Sequence, residues 1–218
     1  MQVRAAIKKV PYATSAYALM RGLLGRKARF TADYRRNSGV GSDLNATKGI
    51  STALPSLLAS HSIQSMLDIP CGDFVWMQHV NVGAIRYIGA DIIQSLIGSH
   101  QKQYSSANRT FMTLDIVTDD LPAADLILCR DCLPHFSHRL LKKAVNNIKR
   151  SRSRYLLTTT FPGRSTNKGI FTGSWQPLNL CAPPFNFPPP MRLISEGHSP
   201  PYTDKSLGLW LIADLPTF

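Results

Sequence analysis

Between residues 65 and 160 the chain alternates short apolar runs with stretches whose apolar residues recur at helical spacing, and this alternation limits the architecture more than any other feature. The runs at 66–69, 87–90, 110–114, 126–129 and 155–160 are rich in Leu, Ile and Tyr and bounded by turn residues, which predicts strands. The segments 74–80, 93–104 and 139–148 fit helices. Strands that alternate with helices build a parallel sheet joined by right-handed crossovers, with helices on both faces. Two more strand candidates, 192–195 and 207–213, follow a long segment rich in proline and asparagine at 162–190. An irregular segment of that length in a compact domain is more often functional than incidental.

Upstream, residues 44–60 place Leu44, Ile50, Leu54, Leu57 and Leu58 at mostly helical spacing, with Pro55 as an expected kink or restart. The first 43 residues form a basic lead-in, so the expected organisation is 1–43 followed by one domain over 44–218. A chain of 218 residues has room for one well-buried core rather than two. Its net charge of +12 is unevenly placed. Before Tyr34, Arg4, Lys8, Lys9, Arg21, Arg26, Lys27 and Arg29 stand against only Asp33, and no acid occurs from Cys132 to Ser195. The lead-in reads as an ordinary basic helix, and peripheral contact with an anionic membrane is the alternative. No apolar run is long enough to span a bilayer. Cys71, Cys129, Cys132 and Cys181 lack paired-knuckle spacing, so reduced thiols in a cytoplasmic protein, with no metal, are expected.

Ligands of open α/β sheets bind outside the carboxyl ends of the strands. Here those ends are acidic: Asp68, Asp91 and Asp115 close the first three, and Asp131 follows the fourth. A dinucleotide would need a glycine-rich pyrophosphate cradle, whereas the loop 68–73 has only Gly72, with Pro70 and Phe74 in places where glycines are wanted. S-adenosylmethionine has no phosphate but carries an ammonium, a sulfonium and a ribose diol, which favour carboxylate and carbonyl acceptors. On that basis Asp68 or Asp73 lies near the ammonium, Gly72 shapes the turn, and Asp91 accepts the ribose hydroxyls. Asp115 and Ile116 meet the adenine, while Pro70, Ile92 and Arg130 complete the expected cofactor set. Trp76 either lines this site or packs a first helix onto the sheet.

These residues also resemble the class I S-adenosylmethionine-dependent methyltransferases, and within them a bacterial group with an L-D-I-P-C-G-D-F-x-W-M motif, present here as Leu67-Asp68-Ile69-Pro70-Cys71-Gly72-Asp73-Phe74-Val75-Trp76-Met77. Further similar blocks are Tyr87-Ile88-Gly89-Ala90-Asp91, Leu126 to Leu133, Thr172 to Leu180 and Asp204 to Trp210. The resemblance implies a Rossmann-like α/β fold, with a seven-stranded, mostly parallel sheet whose last strand, here 207–213, runs antiparallel. Relative to the class I loop pattern of acid-x-Gly-x-Gly-x-Gly, Pro70 and Phe74 are departures.

Methyl transfer is a displacement at carbon, so the protein mainly holds the acceptor in line and takes up its proton. Asp131 and His135, at the end of the fourth strand, are the base candidates. The 162–190 segment is the expected acceptor-side loop, with Trp175, Asn179, Asn186 and Tyr202 as candidate substrate contacts. The first expectation is transfer to a hydroxyl of a small molecule or glycan. An RNA- or protein-directed enzyme is the alternative, suggested by Lys142, Lys143, Lys149, Arg150, Arg152 and Arg154, which a solvated helix face also explains. A non-catalytic S-adenosylmethionine-binding module is the third reading.

Overall fold

A computed structural model describes Ser38, residues 40–197 and residues 200–218; the expected basic helix over the first 37 residues lies outside the described residues. Seven strands form one sheet in the order β3-β2-β1-β4-β5-β7-β6. They are β1 (Ser65–Asp68), β2 (Arg86–Asp91), β3 (Arg109–Thr113), β4 (Leu126–Cys129), β5 (Tyr155–Thr160), β6 (Arg192–Ser195) and β7 (Ser206–Leu211). The first five are parallel, and β7 pairs antiparallel with both β5 and β6. The predicted α/β architecture with an antiparallel last strand is therefore the one observed.

Among the described residues three α-helices cover the sheet: α1 (Lys48–Ser60), α2 (Gln94–Tyr104) and α3 (His138–Arg150). Strand residues alternate between faces, so Leu67 and Ile127 pack with Leu141, Val145 and Ile148 of α3. Their neighbours Met66, Leu126 and Leu128 pack on the other face with Leu54 and Leu57 of α1 and Ile97 of α2. α1 runs through Pro55 without a restart. Proline inside a helix costs about 3 kcal/mol, and burying Ile50, Leu54, Leu57 and Leu58 offsets it at about 1.5–3 kcal/mol each.

One expected helix is absent. Residues 74–80 form turns and a single 3₁₀ turn, Met77–His79. Gly72 and Phe74 have φ of 55° and 60°, in the left-handed region that an α-helix does not use. The apolar side chains that suggested the helix pack inward as individuals. Phe74 is buried in an aromatic cluster with Tyr87 and Phe111, ring centroids 5.6 and 5.2 Å away. Gly89 makes room for that cluster, because a Cβ there would lie 2.6 Å from the Phe111 ring.

The order of strands reverses at β1, which pairs with β2 on one side and β4 on the other. Ligand crevices in such sheets open at the carboxyl edge of this switch point. Asp68, Asp91 and the 130–135 segment lie there.

Candidate active site

Asp68 and Asp91 end adjacent strands, both buried. The Tyr87 hydroxyl donates to Asp68 Oδ2 at 2.6 Å. Burial pushes the Asp68 carboxyl up to about 7, the nearby Asp91 adds to the rise, and the Tyr87 bond and Arg130 oppose it. Asp91 is also raised by burial, against hydrogen bonds from backbone N–H groups of Ile93 and Gly72, at 3.0 and 3.3 Å. Two buried acids whose ionisation burial opposes thus sit side by side at the carboxyl edge of the sheet, an arrangement typical of functional sites.

The loop between them is held from several sides. Gly72 takes the positive φ that a side chain would strain, and its carbonyl accepts from His100 Nε2 at 2.8 Å. The Ile69–Pro70 peptide is cis, with Pro70 half-buried. Asp73 is tied to the lead-in: its Oδ2 accepts from Ser38 N at 2.9 Å, and its own N–H donates to Ser38 Oγ at 2.8 Å. Ser38, in the segment expected to be the lead-in, thus holds this loop. Ile92 follows Asp91 and is half-buried. Asp115 closes a turn, accepting from Val117 N at 2.9 Å, and Ile116 is buried beside it, its carbonyl accepting from Asn147 Nδ2.

After β4, four charged side chains meet in the interior. Arg130 Nη2 donates to Glu196 Oε2 at 2.6 Å and to Gly41 O at 2.7 Å, and its guanidinium lies over Trp76 at 5.7 Å. Lys205 Nζ donates to Asp131 Oδ2 at 2.7 Å and lies 3.2 Å from Glu196 Oε2. Arg130 is thereby anchored by protein partners, with its buried Nε outside these bonds, and Trp76 lies against its guanidinium. Asp131 itself sits at φ 51°, with its N–H bonded to Thr159 Oγ1 at 2.8 Å. Burial would raise its carboxyl, but Arg130 and Lys205 hold it below the usual carboxylate range. Such a group is a weak base and a strong fixed anion. Glu196, Lys205 and Thr159 were absent from the sequence-derived site. The one signal for Glu196 was its position as the first acid after the acid-free stretch.

His135 ends the 3₁₀ turn Leu133–His135, and its Nδ1 bonds to Ser174 O at 3.1 Å. Since a carbonyl only accepts, Nδ1 carries the proton and the lone pair of the neutral ring is on Nε2. The same turn clips the acceptor-side loop: Gly173 N donates to His135 O at 2.8 Å and Gln176 N to Pro134 O at 3.1 Å. Trp175 and Tyr202 come together beyond β5, ring centroids 4.9 Å apart, with Phe161 at 5.8 and 6.1 Å. Asn179 does not join them. Its side chain donates to Pro162 O and Arg164 O and accepts from Cys181 N, so it braces the loop. Asn186 is exposed at φ 50°, a turn position that Asn tolerates, and forms no side-chain hydrogen bond to the other candidates.

No family model and no curated protein matches the sequence, but solved structures match the coordinates. The Burkholderia thailandensis 1,6-didemethyltoxoflavin-N1-methyltransferase, crystallised with S-adenosylhomocysteine, superposes with a TM-score of 0.61 at 15% identity, over 95% of this chain and 92% of its own. Human N-acetylserotonin methyltransferase, in complex with S-adenosylmethionine, gives 0.56 at 14% identity over 91% of this chain, which spans 65% of that longer protein. The Synechocystis magnesium protoporphyrin IX methyltransferase gives 0.53 at 14% identity, over 89% of this chain and 99% of its own.

The fold is that of a class I methyltransferase. The acidic ends of β1 and β2 lie side by side at the carboxyl edge of the sheet, next to the 130–135 segment that follows β4. Among the described residues no group of His, Cys, Asp and Glu is arranged to hold a metal ion.

Proposed function

We propose that the protein is an S-adenosylmethionine-dependent methyltransferase acting on a hydroxyl group. The observation that carries this reading is the pair of buried carboxylates, Asp68 and Asp91, at neighbouring strand ends around the Gly72 turn. Their chemistry fits the cofactor: Asp91 suits the ribose diol, Asp68 the ammonium, and Asp115 with Ile116 the adenine. The solved structures that share the fold support the choice, since several were crystallised with this cofactor or its demethylated product.

When bound, S-adenosylmethionine supplies a methyl group on a sulfonium, a good leaving group. The chain's own residues then have three tasks. His135 takes the acceptor proton at Nε2, the atom that its Nδ1 bond to Ser174 leaves basic. Asp131, held anionic by Lys205 and Arg130, stabilises the resulting imidazolium through charge and is a positioning residue, not the base. Trp175 and Tyr202, backed by the buried Phe161, present ring faces that hold an acceptor and exclude water. The expected hydroxyl of a small molecule or glycan is compatible with these rings, as is a ribose hydroxyl.

Calorimetric titration with S-adenosylmethionine, in the presence of a chelator and across pH, tests the reading. Only the ionised Asp68 attracts an ammonium, so below about pH 7 binding must release a proton and loses affinity. Affinity should rise as pH is raised through 7 and then level off. Heat at neither end of the pH range, from protein shown to be folded, would refute the cofactor assignment.

A further inference from the structure

The outer face of α3 carries a cationic stripe that the methyl-transfer chemistry does not use. Arg139, Lys143 and Arg150 are exposed at i, i+4 and i+11, on one side of the helix, with Lys142 and Lys149 half-buried beside them. A solvated helix face ordinarily mixes signs, which gains ion pairs at i+3 and i+4. This helix contains no acid, has none in its first turn where the dipole favours one, and belongs to an acid-free stretch from Cys132 to Ser195. Arg139 and Lys143 repel each other, and among the described residues neither has a carboxylate partner. Lys142 lies over the Phe218 ring at 4.7 Å, Lys149 donates to Leu215 O and Arg150 to Asn147 Oδ1, so the repulsion without compensation falls on Arg139 and Lys143.

The stripe leads to the site. Arg139, Lys142 and Lys143 line a groove of about 470 Å³ whose apolar wall is Pro184 and Phe218. At the start of the helix, His138 Nε2 donates to Lys168 O at 2.9 Å and the Ser137 and Thr172 hydroxyls are 3.2 Å apart, so the acceptor-side loop is fastened there. That loop exposes two aromatic rings, Phe171 at 70% and Trp175 at 37%. Flat exposed rings at the mouth thus continue into cations along a helix about 20 Å long.

Resting on the methyltransferase reading, we propose that the acceptor is single-stranded RNA, its phosphates on Arg139, Lys142 and Lys143 and its bases stacked on Phe171 and Trp175. Cations that track a backbone beside aromatic stacking platforms are the physical requirement for single strands. An acidic polysaccharide would use the charges but not the rings. Ribose keeps the free hydroxyl that the chemistry needs, and deoxyribose does not.

The test is fluorescence anisotropy with a labelled, unstructured RNA oligomer, with DNA of the same sequence and heparin compared. Log affinity should fall linearly with log salt. The double variant Arg139→Gln/Lys143→Gln should flatten that slope by about 1.4, two phosphates at roughly 0.7 each, and Phe171→Ala should weaken binding about tenfold. All variants should bind S-adenosylhomocysteine as the wild type does. RNA binding by a protein that takes no S-adenosylhomocysteine would support the stripe and reject the methyltransferase reading. Absence of RNA binding, an unchanged slope in the double variant, DNA bound as tightly as RNA, or heparin bound more tightly than RNA and unaffected by Phe171→Ala would each overturn the assignment.

Discussion

Replacing Lys205 with methionine should lower the stability of the protein by about 3–5 kcal/mol, the largest effect expected from any single substitution away from the hydrophobic core. Lys205 Nζ lies between Asp131 Oδ2 and Glu196 Oε2, at 2.7 and 3.2 Å, with 7% of its side chain exposed. Its removal leaves two carboxylates, one of them fully buried, with one neighbouring cation fewer and Arg130 still between them. Urea unfolding checks the size of the loss, and in a thermal scan it corresponds to roughly 6–20 °C for a domain of this length. The double variant Lys205→Met/Glu196→Gln should recover part of it, because one of the stranded charges is then gone. A loss below about 1 kcal/mol in the single variant would mean that water reaches these groups and that the network contributes little.

The second large effect belongs to His135. With an acceptor in hand, His135→Ala should lower kcat by about 10²–10⁴-fold, the usual contribution of a positioned base, while S-adenosylmethionine affinity stays near the wild-type value. His135→Gln should not rescue it, since glutamine can accept a hydrogen bond without taking a proton. Wild-type turnover in both variants would leave transfer to positioning alone. Loss of cofactor binding in both would place the 133–135 turn in the donor half of the site.

The fold was legible because its signals are local. The runs that became β4, β5 and β6 are short, apolar and bounded by breakers, and their limits coincide with the structure. The Phe74–Val80 helix failed for a physical reason: period alone cannot separate a helix from a compact loop whose apolar side chains are each buried. The positive φ of Phe74 has no signature in an aromatic residue. Pro55 did not restart the helix, because a helix with a well-buried face tolerates one missing backbone bond.

Half of the candidate site was equally local. Asp68, Asp91 and Gly72 announce themselves by position at strand ends. The other half depends on contacts between distant parts of the chain. Arg130 meets Glu196 across 66 positions and Asp131 meets Lys205 across 74, and no spacing rule foretells either pair. For that reason Asp131 was a base candidate by position, while its contacts with Arg130 and Lys205, which lower its carboxyl, had no signal in the sequence. Asn179 is similar: an amide in an irregular loop suggests a ligand contact until its bonds to Pro162, Arg164 and Cys181 are counted.

The central claim is that the crevice at β1 and β2 holds S-adenosylmethionine through carboxylates, and Asp91 tests it most directly. Asp91→Ala removes the proposed acceptor of two ribose hydroxyls and, with it, a charge-assisted pair of hydrogen bonds. Calorimetry on the wild type and the folded variant should show S-adenosylmethionine and S-adenosylhomocysteine both weakened by about 1.5–3 kcal/mol, on the order of 10- to 150-fold in Kd. Equal affinities in the two proteins would contradict the account, because the ribose would then be held elsewhere and the buried acid at the end of β2 would not be a cofactor residue.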